Sequence, residues 1–159
     1  MPTPPYVLAL RERIGHDLLW MPGVTAVVLR HDGPRPRTLL VRRADTGEWT
    51  PVTGIVDPGE EPAAAAVREV LEEADVVATA ERLARVGVVG PVVYENGDRS
   101  CYLDLTFRCR WVSGEPFPAD GENTDARWYD LEDLPPMSPS MAARVAAALP
   151  QHGEATFAG

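Results

Sequence analysis

Three glutamates, Glu69, Glu72 and Glu73, stand at i, i+3 and i+4 in the segment AAAAVREVLEEA. On a helix that spacing puts their carboxylates on one stripe, each within a turn of the next. Each like-charged i,i+4 pair costs about 0.2 to 0.5 kcal/mol. A solvated helix flank tolerates that cost; so does a site for a hard cation, because carboxylate oxygens are the ligands that Mg²⁺ and Mn²⁺ prefer. The flanking residues are unusual too. Gly54, Gly59 and Glu60 precede Arg68-Glu69, and residues 54 to 76 carry seven acids against one base, supplying −6 of the chain's net charge of −9.

The rest of the composition mainly excludes. All 15 basic residues among the 159 are arginines, so the chain has no lysine for Schiff-base chemistry or for a phosphate-binding P-loop. An acidic excess argues against a surface built to neutralise nucleic acid or anionic lipid. Binding a polyanion on this chain calls for a divalent cation as helper. The sequence contains no apolar run of about 18 residues, and its start, MPTPPYVLALRERIG, lacks the basic-then-apolar pattern of export, so a cytoplasmic protein without membrane contact is expected. Cys101 and Cys109 fall in one expected strand, where eight steps of ~3.4 Å put them roughly 27 Å apart, too far to bridge each other. They are expected to be buried thiols. His16, His31 and His152 show no zinc-ligand spacing.

The acidic segment needs a helix to present it. Glu60 or Glu61 opens that helix and Pro62 suits its first turn, where the missing N–H costs nothing. Val67, Val70, Leu71 and Ala74 recur at i, i+3, i+4 and i+7, which predicts an apolar stripe roughly opposite the glutamates. Around it the pattern predicts a short helix over 6–14 and a hairpin of strands 24–29 and 38–43 joined by HDGPRP. A second hairpin, 83–94 with 101–111, turns at Asn96-Gly97, the preferred pair for a type I′ turn. A short strand at 127–129 and an alanine-rich helix at 139–149 complete the order. The expected organisation is a lead-in over 1–20, one domain over 21–150 and a tail over 151–159.

Residues 54 to 76, GIVDPGEEPAAAAVREVLEEADV, closely resemble the Nudix box. Gly54, Glu60, Arg68, Glu69, Glu72 and Glu73 fit its fixed positions, and Val70 and Val76 fit its aliphatic ones. Two departures stand out. Asp75 replaces the closing glycine, at a helix end where a left-handed residue is wanted and aspartate adopts that conformation at modest cost. Val52-Thr53-Gly54 stands where many members read Pro-Gly-Gly. The resemblance implies the Nudix fold, an α+β arrangement with a mixed β-sheet sandwiched between α-helices. It also implies a metal-dependent nucleotide pyrophosphohydrolase, using Mg²⁺ with Mn²⁺ as a substitute, that cleaves the diphosphate linkage of a nucleoside diphosphate joined to another moiety, (d)NTPs included.

Carried over residue by residue, the resemblance implies that Glu69, Glu72, Glu73 and the Gly54 carbonyl hold the metal. Arg68 belongs to the catalytic set by orienting carboxylates rather than touching substrate, and Glu60 supports the site, with helix capping as its alternative role. A further acid is expected ahead of a late-strand aromatic. Glu122, six residues before Trp128, has that place, with Asp120 and Asp125 as rivals and a solvated acidic loop as the alternative. Glu69 is the first candidate for general base and Glu122 the second. Of Arg42 and Arg43, which point to opposite faces of a strand, Arg43 is favoured as a substrate contact, against a plain surface arginine; Arg99 and Tyr94 are weaker candidates. Trp49 and Trp128 are expected to pack the sheet ends.

Substrate cues conflict. Pro91, 15 residues beyond Val76, resembles a feature of ADP-ribose-cleaving members, whereas Tyr94 resembles a marker of dinucleoside polyphosphate hydrolases. The expected partner is a small-molecule nucleotide, with ADP-ribose or an ADP-sugar as the alternative substrate. A non-catalytic nucleotide-sensing module is the alternative of another class, and the intact carboxylate set argues against it. The lead-in is expected to cover a sheet edge or a homodimer contact.

Overall fold

Strand β1 (Leu19–Arg30) is buried almost without a break from Met21 to Leu29, the pattern of a strand covered on both faces. Its alternate residues divide between two cores. Val24, Ala26 and Val28 pack with Ala65, Ala66, Val70 and Ala74 of helix α2 (Pro62–Ala74), whereas Val27 and Leu29 pack with Val145 and Ala148 of helix α3 (Pro139–Ala148). The sheet is therefore sandwiched between helices. The computed structural model describes residues 3–157, so the two outermost residues of both the lead-in and the tail lie outside it.

The remaining elements are α1 (Pro5–Ile14), β2 (Arg37–Arg43), β3 (Trp49–Thr50), β4 (Val52–Ile55), β5 (Val77–Val93), β6 (Arg99–Ser113), β7 (Asn123–Asp130) and β8 (Thr156–Phe157). The sheet runs β3-β2-β1-β6-β5-β8, with β4 on β1 and β7 on β2. Pairing of β1 with β6 is parallel and that of β5 with β6 antiparallel, so the sheet is mixed and the fold α+β. One edge of β1 serves two partners: β2 at Leu29 and Arg30, and β4 from Gly23 to Ala26. The chain thereby inserts β4, with Gly54, beside α2, while β2 carries Arg43 outward along β7.

Several expectations need correction. The β5–β6 turn is not type I′, because Gly97 is at φ 88 but Asn96 is not at positive φ. The Gly97 N–H bonds to the Tyr94 carbonyl, and the Asn96 side chain accepts from the Asp98 N–H, which makes a bulged loop. Helix α2 is rotated from its predicted stripe: Leu71 is 49% exposed, whereas Glu69 and Glu73 are buried on the same face as Val70 and Ala74. The glutamates therefore flank the core rather than oppose it. Cys109 is buried but Cys101 only partly so, and both are free. The short strands β3, β4 and β8 are additions to the expected order, and β8, within the tail, pairs with Arg85 and Val86 of β5. Asp75 is left-handed, at φ 54 and ψ 33, as its place at the end of α2 requires.

Helix α1 lies against the start of β6, where Arg11 donates to the Arg99 carbonyl at 2.7 Å and to Ser100 Oγ at 3.1 Å. Trp49 meets Tyr129 edge-on at 5.0 Å, and Trp128 meets Trp111 at 6.5 Å. Among the described residues no helix is long and apolar enough to cross a membrane.

Candidate metal and phosphate site

Gly54 pairs with Val24 across the β4–β1 ladder and faces α2 at Glu69. A Cβ placed on Gly54 would lie 2.2 Å from Glu69 Cγ and Cδ and 2.3 Å from Oε1. Only glycine leaves room for that carboxylate, which is how a glutamate reaches 1% exposure against a strand backbone. Its Oε1 accepts from Arg68 Nη1 at 2.9 Å, whereas its Oε2 is buried with no hydrogen-bond partner. Burial pushes the Glu69 carboxyl up to about 7, with Arg68 pulling the other way. An orphaned carboxylate oxygen in such a place is costly unless a cation meets it.

Arg68 organises the acids around it. Nε and Nη2 form a fork on Glu60 at 2.8 and 2.9 Å, Nη1 also reaches Glu72 Oε2 at 3.1 Å, and Nη2 donates to the Ile55 carbonyl at 3.2 Å. This planar fork suits paired carboxylates in a way a lysine could not. Glu60 is held below its usual range, first by Arg68, and also accepts from the Asp57 N–H. Arg68 and Glu60 thus brace the loop before α2 against the helix.

Glu73 lies one turn on, 5% exposed, with Asn123 Nδ2 donating to its Oε2 at 2.9 Å. Burial pushes its carboxyl up to about 8; Asn123 opposes this, and Glu69, Glu122 and Asp120 add to it. Those last two acids arrive because the loop after β6 caps α2. The N–H groups of Phe117 and Ala119 donate to the carbonyls of Ala74 and Glu73 at 3.0 and 3.1 Å. The Glu122 carbonyl is then pinned by the Ala44 N–H at 2.9 Å.

The structure therefore brings Gly54, Glu60, Arg68, Glu69, Glu72 and Glu73 together, with Glu122 and Asp120 within electrostatic reach of Glu73. Asp125 is drawn instead to Arg127, along β7. Arg43 feels Glu73 and Glu122 and is engaged by Asp45 through two bonds of 2.9 and 2.7 Å, whereas Arg42 donates to the Gly47 carbonyl. Arg99 donates to the His16 carbonyl at 3.2 Å, and the Tyr94 hydroxyl is bonded to that of Tyr102. Asn123 is the residue sequence reasoning missed. A strand expected only over 127–129 leaves it in a loop, and nothing local signals that β7 begins there and buries its amide.

The donor set is oxygen only, which suits a hard divalent ion. Among the described residues no group of three or more acidic, histidine or cysteine side chains is drawn together as a metal site; Glu72, with its side chain 41% exposed, leans toward Arg68. The buried Glu69 Oε2, left without a hydrogen-bond partner, nonetheless fits a cation.

A model of the NUDIX domain family matches residues 19–150. The NAD-capped RNA hydrolase NudC of Deinococcus radiodurans is 30% identical over 124 residues, 77% of this chain and 41% of the relative. The chain spans about two fifths of the length of the NudC relatives it matches. A crystal structure of a UDP-X diphosphatase superposes with a TM-score of 0.66 at 18% identity, covering 96% of this chain and 74% of that one. An ADP-ribose pyrophosphatase from Streptococcus suis gives 0.61 at 24% identity, covering 86% and 99%. At these identities the two structures speak to the fold.

Proposed function

Because the chain belongs to the NUDIX family, whose members generally use divalent metal ions, we propose that it is a Mg²⁺-dependent hydrolase of the diphosphate linkage in a nucleoside diphosphate joined to a second moiety. The observation that carries this reading is the buried Glu69 carboxylate seated against Gly54, whose Oε1 is held by Arg68 and whose Oε2 has no hydrogen-bond partner. A diphosphate brings negative charge to a chain of net −9, and only an added cation makes that encounter favourable. The names NAD-capped RNA hydrolase, UDP-X diphosphatase and ADP-ribose pyrophosphatase each describe a nucleoside diphosphate with a group beyond it, which supports the same substrate class.

In this reading Glu69, Glu72, Glu73 and the Gly54 carbonyl hold the ion, with Glu122 as a further ligand. An ion held there would supply charge compensation for the phosphoryl oxygens and acidification of a water. Glu69 takes the proton of the attacking water, Glu122 being the second candidate for that role. Arg68 and Glu60 keep the carboxylates aimed. Arg43, on the site side of β2, exchanges its Asp45 partner for a substrate phosphate. The substrate is a free nucleotide rather than a nucleic acid or a membrane surface.

The test is nucleotide or phosphate release from ADP-ribose, dNTPs, dinucleoside polyphosphates and NADH, with Mg²⁺, with Mn²⁺ and with EDTA. The expected result is EDTA-sensitive turnover of one class, abolished by Glu72→Gln without change in the circular dichroism spectrum. Turnover that survives EDTA refutes the mechanism; no turnover of any member favours a nucleotide-sensing module.

A further inference from the structure

The two buried glutamates of α2 are treated alike by the fold. Each has one oxygen anchored by a protein donor: Glu69 Oε1 by Arg68 Nη1 at 2.9 Å, and Glu73 Oε2 by Asn123 Nδ2 at 2.9 Å. Each has a second oxygen to offer. We propose that Asn123 is the positioning residue of Glu73, anchoring Oε2 so that Oε1 would be left for a divalent ion, as Arg68 does for Glu69. This rests on the metal-dependent reading above and adds to it a residue outside the family motif.

Three features support the assignment. Asn123 is only 6% exposed, so the bond is shielded from competing water. Its place is set by backbone pairing rather than by the site, since it stands opposite Arg43 at the end of the β2–β7 ladder, just past an irregularity in the register, and follows Glu122, whose carbonyl is pinned by the Ala44 N–H. A donor held by a ladder is preorganised, which is what a second-layer residue needs in order to fix a ligand. Charge supplies the third. Arg68 already places a cation beside Glu69, Glu72 and Glu60, and Arg43 acts on Glu73 from a distance; a cation bonded directly to Glu73 would compete with a divalent ion. An amide supplies a hydrogen bond without charge, and because an ionised carboxylate can only accept, the amide turns its NH₂ inward.

Asn123→Leu keeps the approximate volume and removes the donor. Mn²⁺ binding to the full chain, followed by the electron paramagnetic resonance signal of free Mn²⁺, is expected to weaken roughly 10- to 100-fold. The Mg²⁺ concentration for half-maximal turnover should rise in parallel, while KM for substrate at saturating Mg²⁺ changes less than about threefold. A residue that merely supports the fold would lower the melting temperature in EDTA and leave Mn²⁺ affinity of the folded protein unchanged. Asn123→Ala, which admits a water, provides a second variant should the leucine form fail to fold, with a smaller loss of about threefold or more. Mn²⁺ affinity within twofold of the parent in either folded variant overturns the proposal. A parent chain that binds no Mn²⁺ overturns the metal reading itself, a result separate from any effect of Asn123.

Discussion

Gly54→Ala adds one methyl group, and the structure says where it goes. The new Cβ would sit 2.2 Å from two carbons of the Glu69 side chain, where ordinary contact begins at 3.4 Å, an overlap of roughly 1 Å that this side chain, 1% exposed and held by Arg68, relieves only by leaving its place. Gly54 is not at positive φ, so alanine suits the backbone and the effect is steric. Overpacking of this kind costs about 1–3 kcal/mol, and in a chain this long each kcal/mol lowers the melting temperature by about 2–4 °C. Displacing a reacting group by about 1 Å costs on the order of 100-fold in rate, so kcat/KM for the Mg²⁺-dependent reaction should fall by about that factor. Differential scanning fluorimetry and nucleotide release measure both. A double variant isolates the cause: with Glu69→Ala present, Gly54→Ala should lower the melting temperature no further, because the atoms it strikes are gone. Full activity in Gly54→Ala, or an undiminished loss of stability in the Glu69→Ala background, would refute the notch as the reason for glycine.

Arg68→Lys keeps the charge but loses the fork on Glu60 and the shared contact to Glu69 and Glu72. Turnover at limiting Mg²⁺ should fall about 10- to 100-fold in a folded protein, measured as a Mg²⁺ titration; an unchanged titration curve refutes an orienting role. In EDTA, stability should decline as pH rises. Burial lifts Glu69 to about 7 and Glu73 to about 8 from the ordinary 4.5 of a glutamate, so their contribution is complete below 4.5 and is lost as pH climbs through the folded values. The melting temperature of the metal-free chain is expected to drop between pH 5 and about 8.5, with Glu73→Gln flattening the slope; a flat or rising profile in the parent excludes buried carboxyls of this kind.

What the sequence disclosed was local. Helical spacing alone puts Glu69, Glu72 and Glu73 on one stripe, and the resemblance to the Nudix box adds Glu60 and Arg68, one short loop away, and the left-handed Asp75 at the end of α2. Asn123 was not legible in either way, because its burial depends on β7 pairing with β2, a strand some 80 positions earlier in the chain. The Asn96-Gly97 pair pointed to a tight turn that the ladder replaced with a bulged loop, since register along β5, itself irregular at several points, decides how many residues remain to close the hairpin.

The rotation of α2 is the most informative of these differences. Apolar periodicity alone would bury Leu71 and expose the glutamates, yet the helix leaves Leu71 half exposed and buries Glu69 and Glu73. Leaving a leucine in water forfeits about 1–2 kcal/mol, and burying a carboxylate costs several more unless it is paired. The face of α2 that enters the core carries Ala65, Ala66, Val70 and Ala74, and Glu69 and Glu73 go in beside them in place of Leu71. The Gly54 notch, the Arg68 fork and the Asn123 amide accommodate that choice, since all of them act on the carboxylates and none on the leucine. Where a fold departs from its own hydrophobic pattern, the residues that hold the departure in place are the ones to test for chemistry.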